Sequence, residues 1–267
     1  MVPVPFPVVA SAPEGVSGMA KRRLEYAWRT DKGLVRSLNE DAVAVHPEMR
    51  LVIVADGIGG ASAGEVASRL AAHVISEHFR GYARAPVDRA EATELAREAV
   101  LEANRIIWDS ARRSPRYAGM GTTVVVGVAG PDWMVFVHVG DSRLYLLRDD
   151  ALHQLTRDHS LIQEVVDQGF FPTLEEAQRY GINENILTRG LGSSSVVDVD
   201  VGDVDMRPGD LYLYCTDGLS GMVGDEGIRT ALSFEGAKLD TMSDRLVQLA
   251  CDGGGLDNIT VALTRVY

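Results

Sequence analysis

Residues 51–60 read LVIVADGIGG, and the fold turns on how that run is parsed. Leu51–Val54 is an unbroken apolar run, β-branched from Val52 onward, which predicts a buried strand. Ala55-Asp56-Gly57 closes it with a carboxylate followed by a residue that has no side chain, and a helical pattern starts just beyond Gly59-Gly60. A carboxylate at the end of a buried strand, where glycines let backbone come close, is one way to hold a metal ion or a phosphate. An Asp-Gly turn at a strand junction is the plainer reading. The stretch alone leaves both open.

Working outward, Tyr26–Arg29 reads as a first strand and residues 30–33 as a turn. Ala42–Val45 is a short strand and the expected hairpin partner of Leu51–Ala55. Apolar residues at helical spacing predict an amphipathic helix over 62–80 and a second over 88–113, the latter flanked by Pro86 and Pro115. Short strands follow at Thr122–Val128, Trp133–Val139, Arg143–Leu147 and Ala151–Leu155. Turns at Gly130-Pro131, Gly140-Asp141 and Asp149-Asp150 separate them, so neighbours are expected to pair antiparallel. Residues 160–180 read as two short helices on a mobile excursion. Strands at Val196–Val201 and Leu211–Cys215, helices at 225–232 and about 237–252, and a last strand at Ile259–Val266 complete the pattern. The expectation is one α+β domain over residues 22–267, with antiparallel strands in two sheets.

The composition suits a globular protein. Of 267 residues, 46% are hydrophobic and 24% charged. A net charge of −12 and a pI near 4.9 argue against a nucleic-acid surface. Cys215 and Cys251 form neither a zinc spacing nor a disulfide framework, so a reducing cytoplasm is expected. No apolar run is long enough to span a membrane. Residues 1–21 read as a disordered Pro-rich tail rather than a signal peptide, because prolines at 3, 5 and 7 interrupt the apolar part, and Met19 is an alternative start. No exposed apolar stripe is evident, so a monomer is expected.

The acidic residues are not scattered. Asp41, Asp56, Asp141, Asp217 and Asp257 each stand at a strand edge beside small or turn residues. Each alone reads as a turn aspartate; together they are able to converge at one end of a sheet stack. Several oxygen ligands without clustered His or Cys suit Mg(II) or Mn(II). Arg36, five residues before Asp41, suits bidentate capture of a phosphate, with a surface salt bridge as the alternative. A P-loop is absent, neither cysteine precedes a Gly-rich loop ending in Arg, and no G-x-S-x-G occurs.

The ordered segments RSLNEDA, VADGIGG, MGTT, VGDSRLYLLR, LTRDHS, ILTRGLG, PGDLYLYCTDGLSG and DNIT resemble the type 2C metal-dependent protein phosphatases, in their bacterial form. The resemblance runs from Gly33 to Thr260. It implies an α-β-β-α sandwich, with two central antiparallel sheets and helices on both outer faces. It implies two Mn(II) or Mg(II) ions bridged by Asp41, with Asp56 and the Gly57 carbonyl on one and Asp217 and Asp257 on the other. A third ion at Asp141 with Asp217 is the bacterial addition. Arg36 matches the phosphate-holding arginine, which makes Arg36, Asp41 and Asp217 the expected catalytic set, and residues 160–185 match the flap beside the site. The implied reaction is hydrolysis of phosphoserine and phosphothreonine in proteins by a water shared between ions about 4 Å apart, opposing a bacterial Ser/Thr kinase. One departure stands out: many eukaryotic relatives carry His after Asp-Gly, whereas Ile58 stands here and donates no proton. His159 is then a candidate general acid, and equally a candidate tie between flap and core. His138, sharing a strand face with Met134 and Phe136, reads as packing.

Overall fold

The computed structural model describes residues 22–59, 63–82, 86, 88–234 and 236–267. The expected tail at 1–21 lies outside them. Two five-stranded antiparallel sheets stack face to face. The first has the order β1 (Leu24–Asp31), β12 (Ile259–Val266), β11 (Leu211–Cys215), β8 (Arg143–Arg148), β9 (Ala151–Gln154). The second has the order β10 (Asp200–Asp205), β7 (Trp133–Val139), β6 (Val124–Ala129), β3 (Leu51–Ala55), β2 (Ala42–His46).

Strand alternation sets the layers. In β3, Leu51, Ile53 and Ala55 face the helices α1 (Ala63–Gly81) and α2 (Arg89–Arg113), in a core shared with Val124, Val126, Val135 and Val137. Val52 and Val54 turn the other way, into a core between the sheets with Phe136, Leu144, Tyr212 and Tyr214. Both faces of β3 are buried, which is why its sequence is an unbroken apolar run. Leu213, Cys215, Val261 and Leu263 pack outward against α5 (Asp217–Leu232) and α6 (Leu239–Asp252). The α-β-β-α order is therefore as expected.

Boundaries differ in informative ways. The strand expected at Thr122–Val128 breaks at Thr123. Gly121–Thr122 (β5) leaves the sheet to pair with Gly57–Ile58 (β4), which fixes the backbone just after Asp56. The strand expected at Val196–Val201 lies at Asp200–Asp205, because pairing of Asp200 with His138 through Asp205 with Trp133 selects that part of an otherwise uniform alternation. β7 and β8 do not pair with each other. The turn at Gly140-Asp141 carries the chain from one sheet to the other, so closeness in sequence misread this junction. Finally, α5 starts at Asp217 rather than near 225, with a kink at Gly224, φ 68°. Glycines at 218, 221 and 224 weaken the local helix signal. Tertiary packing requires the first of them, since a Cβ on Gly218 would lie 1.9 Å from the Asn258 carbonyl oxygen. The excursion holds α3 (Leu161–Asp167) and α4 (Leu174–Arg179).

Candidate metal centre

The five aspartates meet. Asp41 precedes β2, Asp56 follows β3, Asp141 sits in the β7–β8 crossover, Asp217 opens α5 and Asp257 precedes β12. Asp56 feels Asp41, Asp217, Asp141 and Asp257, and burial together with those charges lifts its carboxyl well above the usual range. Burial first, and then the neighbouring carboxylates, raise Asp41 and Asp141 to about 7, and Asp217 is raised for the same reasons. Ionised carboxylates so crowded are stable together when a cation lies among them.

The local wiring holds the cluster open for a ligand. Thr216 Oγ1 donates to Asp41 Oδ2 at 2.9 Å and accepts from the Thr260 amide at 3.0 Å, tying the ends of β11 and β12 to Asp41. The Asp56 amide donates to Thr123 Oγ1 at 3.0 Å. Asp41 Oδ1 and Asp217 Oδ1 are buried with no protein partner, an expensive state unless something else binds there. Gly57 admits no substitute: a Cβ would meet the Gly64 and Glu40 carbonyl oxygens at 2.3 and 2.5 Å. Orphaned hard oxygens beside close-approaching backbone fit Mg(II) or Mn(II).

Arg36 reaches the same end of the sandwich. Its Nη2 contacts Asp257 Oδ2 at 2.6 Å, and the side chain remains half exposed. The residue stands on a loop held by Asn258, whose Nδ2 donates to the Lys32 and Leu38 carbonyls at 3.0 and 2.8 Å and whose Oδ1 accepts from the Glu40 amide at 2.8 Å. Gly33, at φ 73°, seats that loop against the Asp257 carbonyl oxygen, 2.2 Å from where a Cβ would be.

The sequence reading missed Glu40, Thr216 and Asn258. Glu40 Oε1 is a further buried oxygen without a partner, and it crowds the same space over Gly64 as the Gly57 carbonyl. Adjacency to Asp41, Asp217 and Asp257 was the available signal. It does not reveal which way a side chain turns.

His159 lies at the neck of the flap rather than among the aspartates. Its backbone amide donates to the Gly140 carbonyl at 3.0 Å and its Nδ1 accepts from the Gly140 amide at 3.1 Å. That leaves the ring proton on Nε2, which faces Asp200 Oδ2 at 3.3 Å. The His138 ring stacks on it at 4.7 Å, with His138 Nε2 bonded to the Arg157 carbonyl at 2.9 Å. Burial, then His138 and Arg189, push the His159 pKa down to about 4. The wiring joins the start of the flap to the β7–β8 turn, and both ring nitrogens have partners. His138, His159 and Asp200 offer ligand atoms within 4.8 Å of one another. However, stacked rings do not converge their lone pairs on one ion, and His159 Nδ1 is spent on Gly140.

The fold is thus two stacked antiparallel sheets between helical layers, with a cluster of aspartates and the half-exposed Arg36 at one end. Residues 35–249 match the family model for protein phosphatase 2C, and the chain belongs to that family, whose members are metal-dependent. It is similar to the serine/threonine protein phosphatase PstP of Mycobacterium tuberculosis, 39% identical over 91% of this chain and 45% of that protein. The chain thus spans about half the length of that relative. It is also similar to the serine/threonine phosphatase stp of Listeria monocytogenes, 37% identical over 88% of this chain and 93% of the relative. A crystal structure of the PstP catalytic domain in complex with two manganese ions superposes with a TM-score of 0.78 at 38% identity, covering 91% of this chain and 98% of that one. Among the described residues no helix is long and apolar enough to cross a membrane.

Proposed function

We propose that this protein hydrolyses phosphoserine and phosphothreonine in other proteins, opposing a Ser/Thr kinase. The observation that carries the reading is the five-aspartate cluster, with buried, orphaned oxygens on Asp41 and Asp217, beside the half-exposed Arg36. In this reading Asp41, Asp56, the Gly57 carbonyl, Asp217 and Asp257 would hold the metal ions. Asp141 with Asp217 would hold a third ion more weakly. When bound, the ions supply Lewis-acid charge that lowers the pKa of the attacking water.

The chain's own residues do the rest. Arg36 commits one Nη to Asp257 and offers the remaining donors of its fork to the phosphate, neutralising charge that builds on the phosphoryl oxygens. Thr216 fixes the rotamer of Asp41. Cys215 is no nucleophile: it is buried, and burial pushes its thiol up to about 12. With Ile58 apolar and His159 engaged, protonation of the leaving alkoxide falls to solvent.

The test is hydrolysis of a phosphothreonine peptide with Mn(II). Chelator should abolish it, and Arg36→Ala should lower kcat/KM by about 100-fold, the scale of a lost charge-assisted phosphate contact. Activity that survives chelation, or survives in Asp217→Asn, refutes the mechanism.

A further inference from the structure

Arg36 stands inside a ring of exposed aliphatic side chains. Leu34 is 67% exposed, Val35 65%, Leu38 46% and, across the Arg36–Asp257 pair, Leu256 56%. Large aliphatic groups left in water forfeit the stabilisation that burial brings, and single ones on a surface need no explanation. Four around one cation form a patch.

These residues are held, not loose. The Leu34 and Val35 amides donate to the Gly255 carbonyl at 2.8 and 3.3 Å. Asn258 grips the loop at the Lys32 and Leu38 carbonyls. Lys32 Nζ donates to the Arg36 carbonyl at 3.3 Å. Leu34 packs beside Gly255, where a Cβ would lie 2.9 Å from Leu34 Cγ. The bonds that hold the loop therefore also hold the aliphatic groups outward, around Arg36.

Leu256 and Asp257 also line the mouth of a cavity of about 450 Å³ between α5 and the flap, whose other walls include Ile162, Leu174 and Met222. Asp217 and Asp141 border the same cavity. Leu256 thus joins the exposed loop around Arg36 to a cavity of mixed polar and apolar lining that reaches the flap.

We propose that this ring is the docking surface for the substrate chain itself, and that it selects phosphorylated segments with bulky aliphatic residues next to the phosphoresidue. The proposal rests on the phosphatase reading, because the occupant is identified by where its phosphate must sit. A chain whose phosphate lies on Arg36 lays its neighbouring residues, about 3.5 Å apart along an extended backbone, over Leu34, Val35 and Leu38 on one side and Leu256 on the other. Flanking contacts of this kind act on ground state and transition state alike, so the preference appears in KM rather than kcat.

The experiment compares two phosphothreonine peptides that differ in the residues flanking phosphothreonine, leucine in one and serine in the other, with Mn(II) present. The wild-type protein should favour the leucine peptide about tenfold in kcat/KM, the scale of one partly buried aliphatic side chain. Val35→Ser/Leu256→Ser should bring that ratio to about one. Should the double variant unfold, Leu38→Ser alone is expected to reduce the ratio. Equal wild-type rates on both peptides overturn the docking proposal and leave the phosphatase reading standing; no turnover of either overturns the reading itself. A preference retained in the variants but lost in Phe170→Ser/Tyr180→Ser moves recognition to the exposed flap tip and overturns the proposal. So does self-association that Val35→Ser/Leu256→Ser abolishes, since a second copy would then own the patch.

Discussion

Replacing Asp41 by Asn should stabilise the metal-free protein at alkaline pH while abolishing its response to metal. Burial, together with the Asp217 and Asp257 charges, lifts the Asp41 carboxyl from 3.8 to about 7. The folded state therefore holds a proton there that the unfolded chain has released. Stability from such a group is complete below the unfolded value and falls as pH rises through the folded one. Fully ionised, Asp41 costs about 4 kcal/mol. Asn keeps an acceptor for Thr216 Oγ1, which lies 2.9 Å from Oδ2, but the bond loses its charge assistance, worth about 1–2 kcal/mol. The net gain for Asp41→Asn in chelator at pH 8 is about 2 kcal/mol, or roughly 4–8 °C in Tm for a domain of this size. The gap should narrow at pH 5, where Asp41 is still largely protonated. Thermal melts at both pH values, with chelator and with 1 mM Mn(II), test this. The wild type should gain several degrees from Mn(II) and the variant almost none. A variant less stable than wild type in chelator at pH 8, or one with an undiminished Mn(II) response, would refute the reasoning.

Two further substitutions probe the frame around the centre. Gly57→Ala forces a Cβ to within 2.3–2.5 Å of two carbonyl oxygens, so it should cost on the order of 3 kcal/mol or more and weaken Mn(II) binding measured by calorimetry. His159→Ala should leave the pH–rate profile between 6 and 9 unchanged in shape, since the ring is held neutral with its pKa pushed down to about 4. The same variant should speed proteolysis of the flap by loosening its anchor at Gly140, and loss of the alkaline limb of the profile would restore His159 as the acid.

Legibility differed from element to element for physical reasons. β3 was plain because both its faces are buried and every position is apolar. α2 was plain because its apolar face repeats at helical spacing and Pro86 and Pro115 flank it. The start of α5 was hidden, because its three glycines weaken the local helix signal while Gly218 serves a close approach to Asn258 that no local propensity reports. The β7–β8 junction was misread because a short turn between strands looks alike whether it closes a hairpin or crosses between sheets.

The same division holds at the site. Residue type and strand-edge position singled out Asp41, Asp56, Asp141, Asp217 and Asp257 as a set able to converge, and nearness to Asp41 with the family resemblance added Arg36. What the chain's order does not contain is direction. Stacking the two sheets brings five distant aspartates within reach of each other's charge, and only then does Asp56 in LVIVADGIGG differ from an ordinary turn residue. Stacking also decides that His159 is spent on Gly140, and that the aliphatic residues around Arg36 remain in water. Hydrogen bonds and burial are properties of neighbours in space, and those neighbours range from 19 residues apart in the chain for Gly140 and His159 to 226 for Lys32 and Asn258.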